Sequence, residues 1–173
     1  MDVERLKAAV RDIPDFPKPG ILFKDITPIL MDPDLLRMAT DLYVEQLRDR
    51  GITKLAAVDA RGFLFTGGIS DRLNIGVVPI RKKGKLPYRT FEETYDLEYG
   101  TATLTVHQDA FEPGDRVALI DDLLATGGTA QAAARLIEKG GGTVVSLLFL
   151  IELAFLNGRD RLEGYDVYAA LVF

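Results

Sequence analysis

Two adjacent carboxylates and a glycine-rich turn stand together in one short stretch of the chain. The run Val117–Ile120 is apolar, Asp121 and Asp122 follow it, and after two leucines comes the turn Ala125, Thr126, Gly127, Gly128 and Thr129. The pattern predicts a buried strand, a turn and the start of a helix. Backbone N–H groups at such a helix start bind phosphate. Because like charges repel, the two acids suit a sugar diol, or a metal ion beside it, so the stretch predicts a site for a phosphorylated pentose.

The usual nucleotide fingerprints do not account for this stretch. The sequence contains neither G-x-x-x-x-G-K-[ST] nor G-x-G-x-x-G. The glycine turn is therefore neither a Walker loop nor a dinucleotide-binding loop. The alternative to a binding site is a plain connection between a strand and a helix.

Basic residues at two other places could bind anions. Arg61 follows a predicted strand and precedes a glycine, and an arginine there can clamp a pair of pyrophosphate oxygens. A second group surrounds Gly84 and consists of Arg81, Lys82, Lys83 and Lys85. In an acidic chain such a group indicates a local anion site rather than a nucleic-acid surface. The alternatives are a surface salt bridge for Arg61 and a solvated loop for the basic group.

Length and composition restrict the class of protein. A chain of 173 residues, 47% hydrophobic and 27% charged, suits a single domain, and a net charge of −5 argues against a general nucleic-acid binder. It has no cysteine and one histidine, His107, which excludes thiolate metal sites and a multi-histidine site within the chain. His107 itself is expected to be an ordinary strand residue. With no signal peptide and no apolar run long enough to span a membrane, we expect a cytoplasmic protein without a membrane partner.

Hydrophobic periodicity and turn residues predict alternating helices and strands. Predicted helices cover 3–13, 33–47 (capped by Asp32), 63–73 and 129–139, and predicted strands cover 54–58, 77–80, 101–107, 116–120, 143–150 and 166–172. Residues 82–96 are rich in Lys, Gly, Pro, Thr and Glu and are predicted to form a long exposed loop, which in a compact domain is usually functional.

Strands that alternate with helices predict a mostly parallel α/β sheet covered on both faces. Ligands of such sheets bind beyond the carboxyl ends of the strands. The pairs Ala60-Arg61, Arg81-Lys82 and Asp121-Asp122 all follow predicted strands. We therefore expect them to share one site, in a single domain that spans residues 1–173.

Motifs along nearly the whole chain resemble the adenine phosphoribosyltransferases, which are type I phosphoribosyltransferases. The glycine turn after the two acids resembles their motif for phosphoribosyl pyrophosphate (PRPP). The others are Pro-Lys-Pro-Gly-Ile-Leu-Phe-Lys-Asp from position 17, Ala-Arg-Gly-Phe from 60, Arg-Lys-Lys-Gly-Lys-Leu-Pro from 81 and Tyr-Asp-Leu-Glu-Tyr-Gly from 95. The resemblance implies the type I fold, an N-terminal arm and base-covering hood in residues 1–30, and a mobile catalytic loop in 83–100 that closes over the substrates.

The resemblance also implies roles for individual residues. PRPP and AMP would be bound by Ala60, Arg61, Arg81, Lys82, Lys85, Asp121, Asp122, Ala125, Thr126, Gly127, Gly128 and Thr129. Adenine would be bound by Leu22, Phe23, Lys24 and Glu98. The catalytic residues would be Glu98, which handles the proton at N7 of the base, with Arg61 and Lys85. The family often forms the Ala60-Arg61 loop through a cis non-proline peptide.

The implied reaction is adenine plus PRPP giving AMP plus pyrophosphate. Mg²⁺ would be bound mainly by PRPP oxygens and water, with Asp121 or Asp122 as possible ligands, and a homodimer is the family's assembly, with the apolar stretch 63–65 as one possible interface. Two residues depart from the family pattern. Asp59 stands where Glu is usual, and Lys24 stands where Arg is common, which removes a planar fork of donors.

Two other functions remain open from the sequence. One is a related transferase that uses hypoxanthine, guanine, xanthine or orotate. The other is a non-enzymatic regulator that keeps the PRPP fold as a ligand sensor. The presence of both acids, the basic group and Glu98 favours an enzyme, because a sensor has no need of a proton-handling residue.

Overall fold

The computed structural model describes residues 3–96 and 100–173. The described residues form five α-helices, two short 3₁₀ helices and nine strands. The helices are α1 (Val3–Ala9), α2 (Thr27–Met31), α3 (Pro33–Leu47), α4 (Arg61–Leu73), α5 (Gly128–Lys139) and the 3₁₀ helices Ala154–Leu156 and Gly158–Leu162. The strands are β1 (Arg11–Pro14), β2 (Leu22–Asp25), β3 (Lys54–Val58), β4 (Gly76–Lys82), β5 (Thr90–Asp96), β6 (Thr101–His107), β7 (Arg116–Leu124), β8 (Thr143–Glu152) and β9 (Val167–Val172).

Seven of these strands form one sheet in the order β5-β6-β4-β3-β7-β8-β9. The five strands from β4 to β9 in this order pair in parallel, while β6 pairs antiparallel with both β4 and β5. Strands β1 and β2 form a separate antiparallel pair, the N-terminal hairpin. The predicted mostly parallel sheet with a small N-terminal element is confirmed.

Helices cover both faces of the sheet, and β7 shows why. Ala118 and Ile120 pack into the core beneath α3 and α4, whereas Val117 and Leu119 pack into the core beneath α5. Because successive side chains of a strand point to opposite faces, a strand with both faces buried must be apolar at every position. The run Val117–Ile120 satisfies this requirement, and all four residues are fully buried.

The structure confirms the predicted ends of two helices. Asp32 caps α3, and its side chain accepts hydrogen bonds from the N–H groups of Asp34 and Leu35 at 2.8 and 3.1 Å. Helix α5 ends at Lys139, and Gly140 follows it directly. Among the described residues no helix is both long and apolar enough to cross a membrane.

The prediction for the N-terminus is wrong in its second half. Helix α1 ends at Ala9, and residues 11–14 form β1 instead of a further turn of helix. Ile13 lies opposite Phe23 in the hairpin, so pairing with a distant segment overrides the helical spacing of the local sequence.

The prediction of an exposed loop over 82–96 is also wrong in part. Lys82 ends β4, and residues 90–96 form β5, which pairs along its whole length with β6. Phe91 and Tyr95 lie on one face of β5 and pack against the core beneath α5, while charged and polar residues lie between them. Burial alternates with period two along β5, but the charged Glu93 shares the more buried face with Phe91 and Tyr95, so the residue types conceal this strand signal.

Candidate active site

A cavity of about 400 Å³ opens at the carboxyl ends of the parallel strands. Its wall includes ten of the residues predicted for the site, drawn from three separate parts of the chain. They are Ala60, Arg61, Lys82, Asp121, Asp122, Ala125, Thr126, Gly127, Gly128 and Thr129. The prediction that these strand ends share one site is consistent with this geometry.

The glycine loop (residues 125–129) connects β7 to α5 at the edge of this cavity. Gly127 has φ +81°, a left-handed conformation that glycine adopts without steric cost. Gln131 donates its N–H to the Gly127 carbonyl at 2.9 Å, which closes the first turn of α5. No side chain of the described residues caps this helix start. Its unsatisfied N–H groups therefore suit an anion.

Arg61 and Asp122 form an ion pair within the cavity wall. The Arg61 Nε donates to Asp122 Oδ2, and Asp122 is only 6% exposed. The two segments approach so closely because Gly62 has no side chain. A Cβ at Gly62 would lie 2.8 Å from the Ile120 carbonyl oxygen, so the start of α4 rests directly on the end of β7.

Two hydrogen bonds position Asp121, and a second acid, Asp122, lies next to it. Tyr43 donates its hydroxyl to the Asp121 carbonyl at 2.9 Å, and Asp122 donates its N–H to Asp121 Oδ1 at 2.9 Å. Burial and the charge of Asp122 raise the pKa of the Asp121 carboxyl well above its ordinary value. Strand β7 continues through both acids to Leu124, so the acids belong to the strand and not to the turn after it. The pairing of β7 with β8 fixes the backbone that carries them.

The remaining basic residues surround the Asp59–Ala60 peptide bond, which is cis. Arg81 donates from Nε to Asp59 Oδ2 at 2.8 Å and from its terminal nitrogen to the Lys85 carbonyl at 3.2 Å. Asp59 thus has a charge partner in spite of its short side chain. Lys82 lines the cavity, whereas Arg81 and Lys85, which were also predicted for the site, do not line it.

Comparison with known proteins identifies the family. The profile of the phosphoribosyl transferase domain matches residues 27–167. An adenine phosphoribosyltransferase of Thermoanaerobacter sp. (strain X514) is 50% identical over 173 residues, which cover 100% of both chains. The crystal structure of the adenine phosphoribosyltransferase from Thermoanaerobacter pseudethanolicus is 49% identical, covers 99% of each chain and superposes with a TM-score of 0.96. This chain belongs to the adenine phosphoribosyltransferases.

A more distant relative carries ligands that match the expected chemistry. The Saccharomyces cerevisiae adenine phosphoribosyltransferase, 37% identical with 98% of each chain covered and a TM-score of 0.91, was crystallised with an imino-altritol bisphosphate and adenine.

The hairpin residues expected to bind the base in an adenine phosphoribosyltransferase lie outside the cavity wall. Leu22 is exposed, and Phe23 packs edge-on against Phe16 with ring centroids 5.1 Å apart. Lys24 donates from Nζ to Asp12 Oδ1 at 2.6 Å and lies 4.4 Å from the centroid of the Phe173 ring. Lys24 is therefore a structural cation of the hairpin in this arrangement.

The last residue of the hairpin, Asp25, is close enough to the site to be affected by its charge. Hydrogen bonds from Thr27 are the main cause that lowers the pKa of Asp25, and the charges of Arg11 and Arg61 lower this pKa further. Arg61 lines the cavity, whereas Asp25 does not. Glu98, the predicted proton-handling residue, lies outside the described residues.

Sequence reasoning missed an aromatic side chain in the wall of this adenine phosphoribosyltransferase site. Tyr95 of β5 lines the cavity, its ring would meet a Cβ on Gly128 at 3.3 Å, and its hydroxyl accepts a hydrogen bond from Thr129 at 3.2 Å. The local sequence gives little signal for it, because the charged Glu93 lies between Phe91 and Tyr95 on the same face of β5.

The carboxylates of this site suit a metal ion that takes most of its ligands from the bound substrate. Within residues 3–96 and 100–173, no group of three or more His, Cys, Asp or Glu side chains could hold a metal ion. Asp121 and Asp122 are adjacent, and Asp122 already contacts Arg61. Mg²⁺, which keeps several waters and binds through one or two carboxylates together with substrate phosphates, fits such a site.

Proposed function

We propose that this chain transfers the 5-phosphoribosyl group of PRPP to adenine, giving AMP and pyrophosphate, and so makes a nucleotide from a free purine base. The observation that carries the proposal is the single cavity in which an uncapped glycine loop, two strand-end acids and two cations meet. These groups match the three parts of PRPP, namely a phosphate, a ribose diol and a pyrophosphate. Because the chain belongs to the adenine phosphoribosyltransferases, we assign adenine as the base that accepts the phosphoribosyl group.

The glycine loop binds the 5′-phosphate. Residues 125–129 line the cavity, and no side chain of the described residues accepts from the N–H groups at the start of α5, so a phosphate would complete the helix end. Thr126 and Thr129 lie in the same wall, and the Thr129 hydroxyl, which donates to the Tyr95 hydroxyl in this structure, would turn to the phosphate when it binds.

Asp121 and Asp122 bind the ribose diol. Carboxylate oxygens accept hydrogen bonds from hydroxyl groups, and negative charge near the ring stabilises the positive charge that develops on the anomeric carbon as pyrophosphate departs. Burial and the charge of Asp122 raise the pKa of Asp121, and hydrogen bonds from the ribose hydroxyls would favour its charged form.

Arg61 and Lys82 stabilise the departing pyrophosphate, with Arg81 and Lys85 outside the cavity wall. Arg61 and Lys82 line the cavity, and Arg81 holds both Asp59 and the Lys85 backbone in place. Cations that are already positioned reduce the cost of separating the negative leaving group from the ribose. Mg²⁺, bound mainly by substrate oxygens and water with Asp121 or Asp122 as protein ligands, would supply further neutralisation of that charge.

Glu98 handles the N7 proton while a ring nitrogen of adenine attacks the anomeric carbon. The N-terminal hairpin covers the base, with Leu22 and Phe23 as its apolar contacts. Lys24 contributes to the base only if it leaves Asp12, so the replacement of the usual arginine has little consequence while that ion pair persists. Closure of segment 83–100 stays a prediction, and if it occurs, β5 must move as a paired strand.

Assembly and location are also proposed from the family. A homodimer would bury the exposed side of α4, where Leu64 is 54% exposed while Phe65 is fully buried. Of the predicted stretch 63–65, Leu64 is thus the main apolar contact available. The expectation of a cytoplasmic location stays a prediction.

Binding of ribose 5-phosphate tests the role of the glycine loop without any need for catalysis. Calorimetric titration should show binding by the unmodified protein and at least about tenfold weaker binding by the Thr126→Ala/Thr129→Ala double variant, since both hydroxyl donors are lost. The control is Thr143→Ala, which removes an exposed hydroxyl at the start of β8, away from the cavity and from segment 83–100. Equal affinity of the double variant and this control would contradict the assignment.

A further inference from the structure

The glycine loop rests on a second glycine from the segment after β8. A Cβ on Gly127 would lie 2.3 Å from the Gly158 carbonyl oxygen, and a Cβ on Gly158 would lie 2.2 Å from the Ala125 carbonyl oxygen. Two backbones can approach this closely only where neither carries a side chain. The 3₁₀ helix Gly158–Leu162 therefore forms the support on which the loop lies.

An ion pair fixes the orientation of this support, beside the buried Leu162 and a hydrogen bond from Gln131 Nε2 to the Arg161 carbonyl at 2.8 Å. Arg159 donates from Nε and a terminal nitrogen to the two oxygens of Glu152, at 2.7 to 3.0 Å, and from its other terminal nitrogen to the Val167 carbonyl at 3.0 Å. The planar guanidinium thus meets the carboxylate through two nitrogens, a geometry that fixes orientation as well as distance. Glu152 is the last residue of β8 and pairs with Leu124 and Val172, so its position is set by the ladder.

The pair stands apart from the reacting groups. Neither Glu152 nor Arg159 lines the cavity. Glu152 is 6% exposed, and a buried carboxylate without its cation would draw in water or move toward solvent. Such a change would displace the 3₁₀ helix, and the displacement would pass to Gly158 and then to the glycine loop.

We propose that Glu152 and Arg159 are positioning residues that hold the glycine loop in its phosphate-binding conformation and so set the affinity for the phosphoribosyl substrate. The proposal rests on the assignment of the loop to the 5′-phosphate. It predicts that weakening the pair affects the phosphorylated substrate more than the base, because the support contacts the glycine loop directly through Gly158.

Arg159→Gln is the test, with Arg50→Gln as its matched control. Arg50 also forms a hydrogen-bonded ion pair, with Asp166 at 2.6 Å, but at the start of β9 and so at the opposite end of the sheet. Steady-state kinetics should show KM for PRPP raised by about tenfold or more in Arg159→Gln, since small displacements of a binding group have large effects. KM for adenine should stay within about twofold, and Arg50→Gln should behave as the unmodified protein.

Ribose 5-phosphate titration separates this proposal from the loop assignment on which it rests. If the Thr126→Ala/Thr129→Ala variant loses affinity and folded Arg159→Gln does not, the loop assignment holds and the positioning role is wrong. Equal increases of KM for PRPP and adenine in Arg159→Gln would also contradict it, because they indicate general loosening. Should Arg159→Gln fail to fold, Arg159→Lys keeps the charge but lacks the fork, and the same selective rise of KM for PRPP is required of it.

Discussion

The Arg61 guanidinium contacts the Asp122 carboxylate across the floor of the cavity, joining the start of α4 to the end of β7. In the proposed mechanism these two groups bind different parts of PRPP. Without substrate each neutralises the other, which avoids an unpaired buried carboxylate. Binding of PRPP therefore exchanges one internal ion pair for two contacts with substrate, Arg61 with pyrophosphate and Asp122 with the ribose diol.

Asp122→Asn should separate these two roles. We expect turnover to fall by at least about tenfold, because the charge that stabilises the developing positive centre is lost. We also expect tighter binding of pyrophosphate alone, because Arg61 no longer has an anionic partner. The kinetic assay and a pyrophosphate titration check both, with Asp109→Asn in an exposed turn as the control. Near-normal turnover in folded Asp122→Asn would refute the diol role.

Gly127→Ala should damage the site far more than an equally strained substitution elsewhere. Gly114 has φ +97° and open space where a Cβ would lie, with no atom within 4 Å, so Gly114→Ala carries only the left-handed backbone cost of about 1 to 2 kcal/mol. Gly127→Ala adds a collision with the Gly158 carbonyl. Gly127→Ala should have a lower melting temperature and a higher KM for PRPP than Gly114→Ala. Indistinguishable variants would mean that the contact between the two glycines has no importance.

Glu98→Ala should lower kcat more than it raises KM for PRPP, because the residue is assigned to the proton on the base rather than to the phosphates. Glu112→Ala, in the turn before β7, is a suitable control. Steady-state kinetics with both substrates varied distinguishes the cases. A change confined to KM for PRPP would be inconsistent with proton handling at N7.

Asp115 should give the fold a dependence on pH at the acidic end. Burial alone would raise its pKa, but hydrogen bonds from Lys54, from the Glu112 N–H and from Thr53 together lower the pKa below its ordinary value of 3.8. The folded state thus favours the charged form, so this stabilisation is present above that value and is lost as pH falls through the lowered pKa.

Asp115→Asn is therefore expected to lower the free energy of unfolding by about 1 to 2 kcal/mol at pH 7. The difference from the unmodified protein should shrink as pH falls below 3.8. Denaturant unfolding at several pH values measures this difference, with Asp109→Asn in an exposed turn as the control. A difference that stays constant with pH would exclude the proposed charge effect.

The local sequence was sufficient to predict those elements whose structure depends on residues close together in the chain. The cap at Asp32 and the apolar run before Asp121 depend on neighbours along the chain, so the helix and the buried strand were predicted closely. The glycine loop was predicted for the same reason, since its turn, its helix start and the two acids are continuous in sequence.

Pairing between distant segments was beyond local reasoning. Residues 11–14 continue the helical spacing of α1, and only their partner β2 makes them a strand. Charged residues hide the alternation in β5, and only β6 reveals it, so Tyr95 was missed in the cavity wall. The support of Gly127 by Gly158 and the ion pair of Glu152 with Arg159 likewise join segments whose relation appears only in the folded chain.

Formation of nucleotide from separate bases tests the central claim most directly. The purified protein is mixed with PRPP, Mg²⁺ and, in turn, adenine, hypoxanthine, guanine, xanthine and orotate, and the products are identified. We predict AMP from adenine and no nucleotide from the other four bases. Nucleotide from a different base, or PRPP binding without any product, would contradict the assignment of this chain as an adenine-specific transferase.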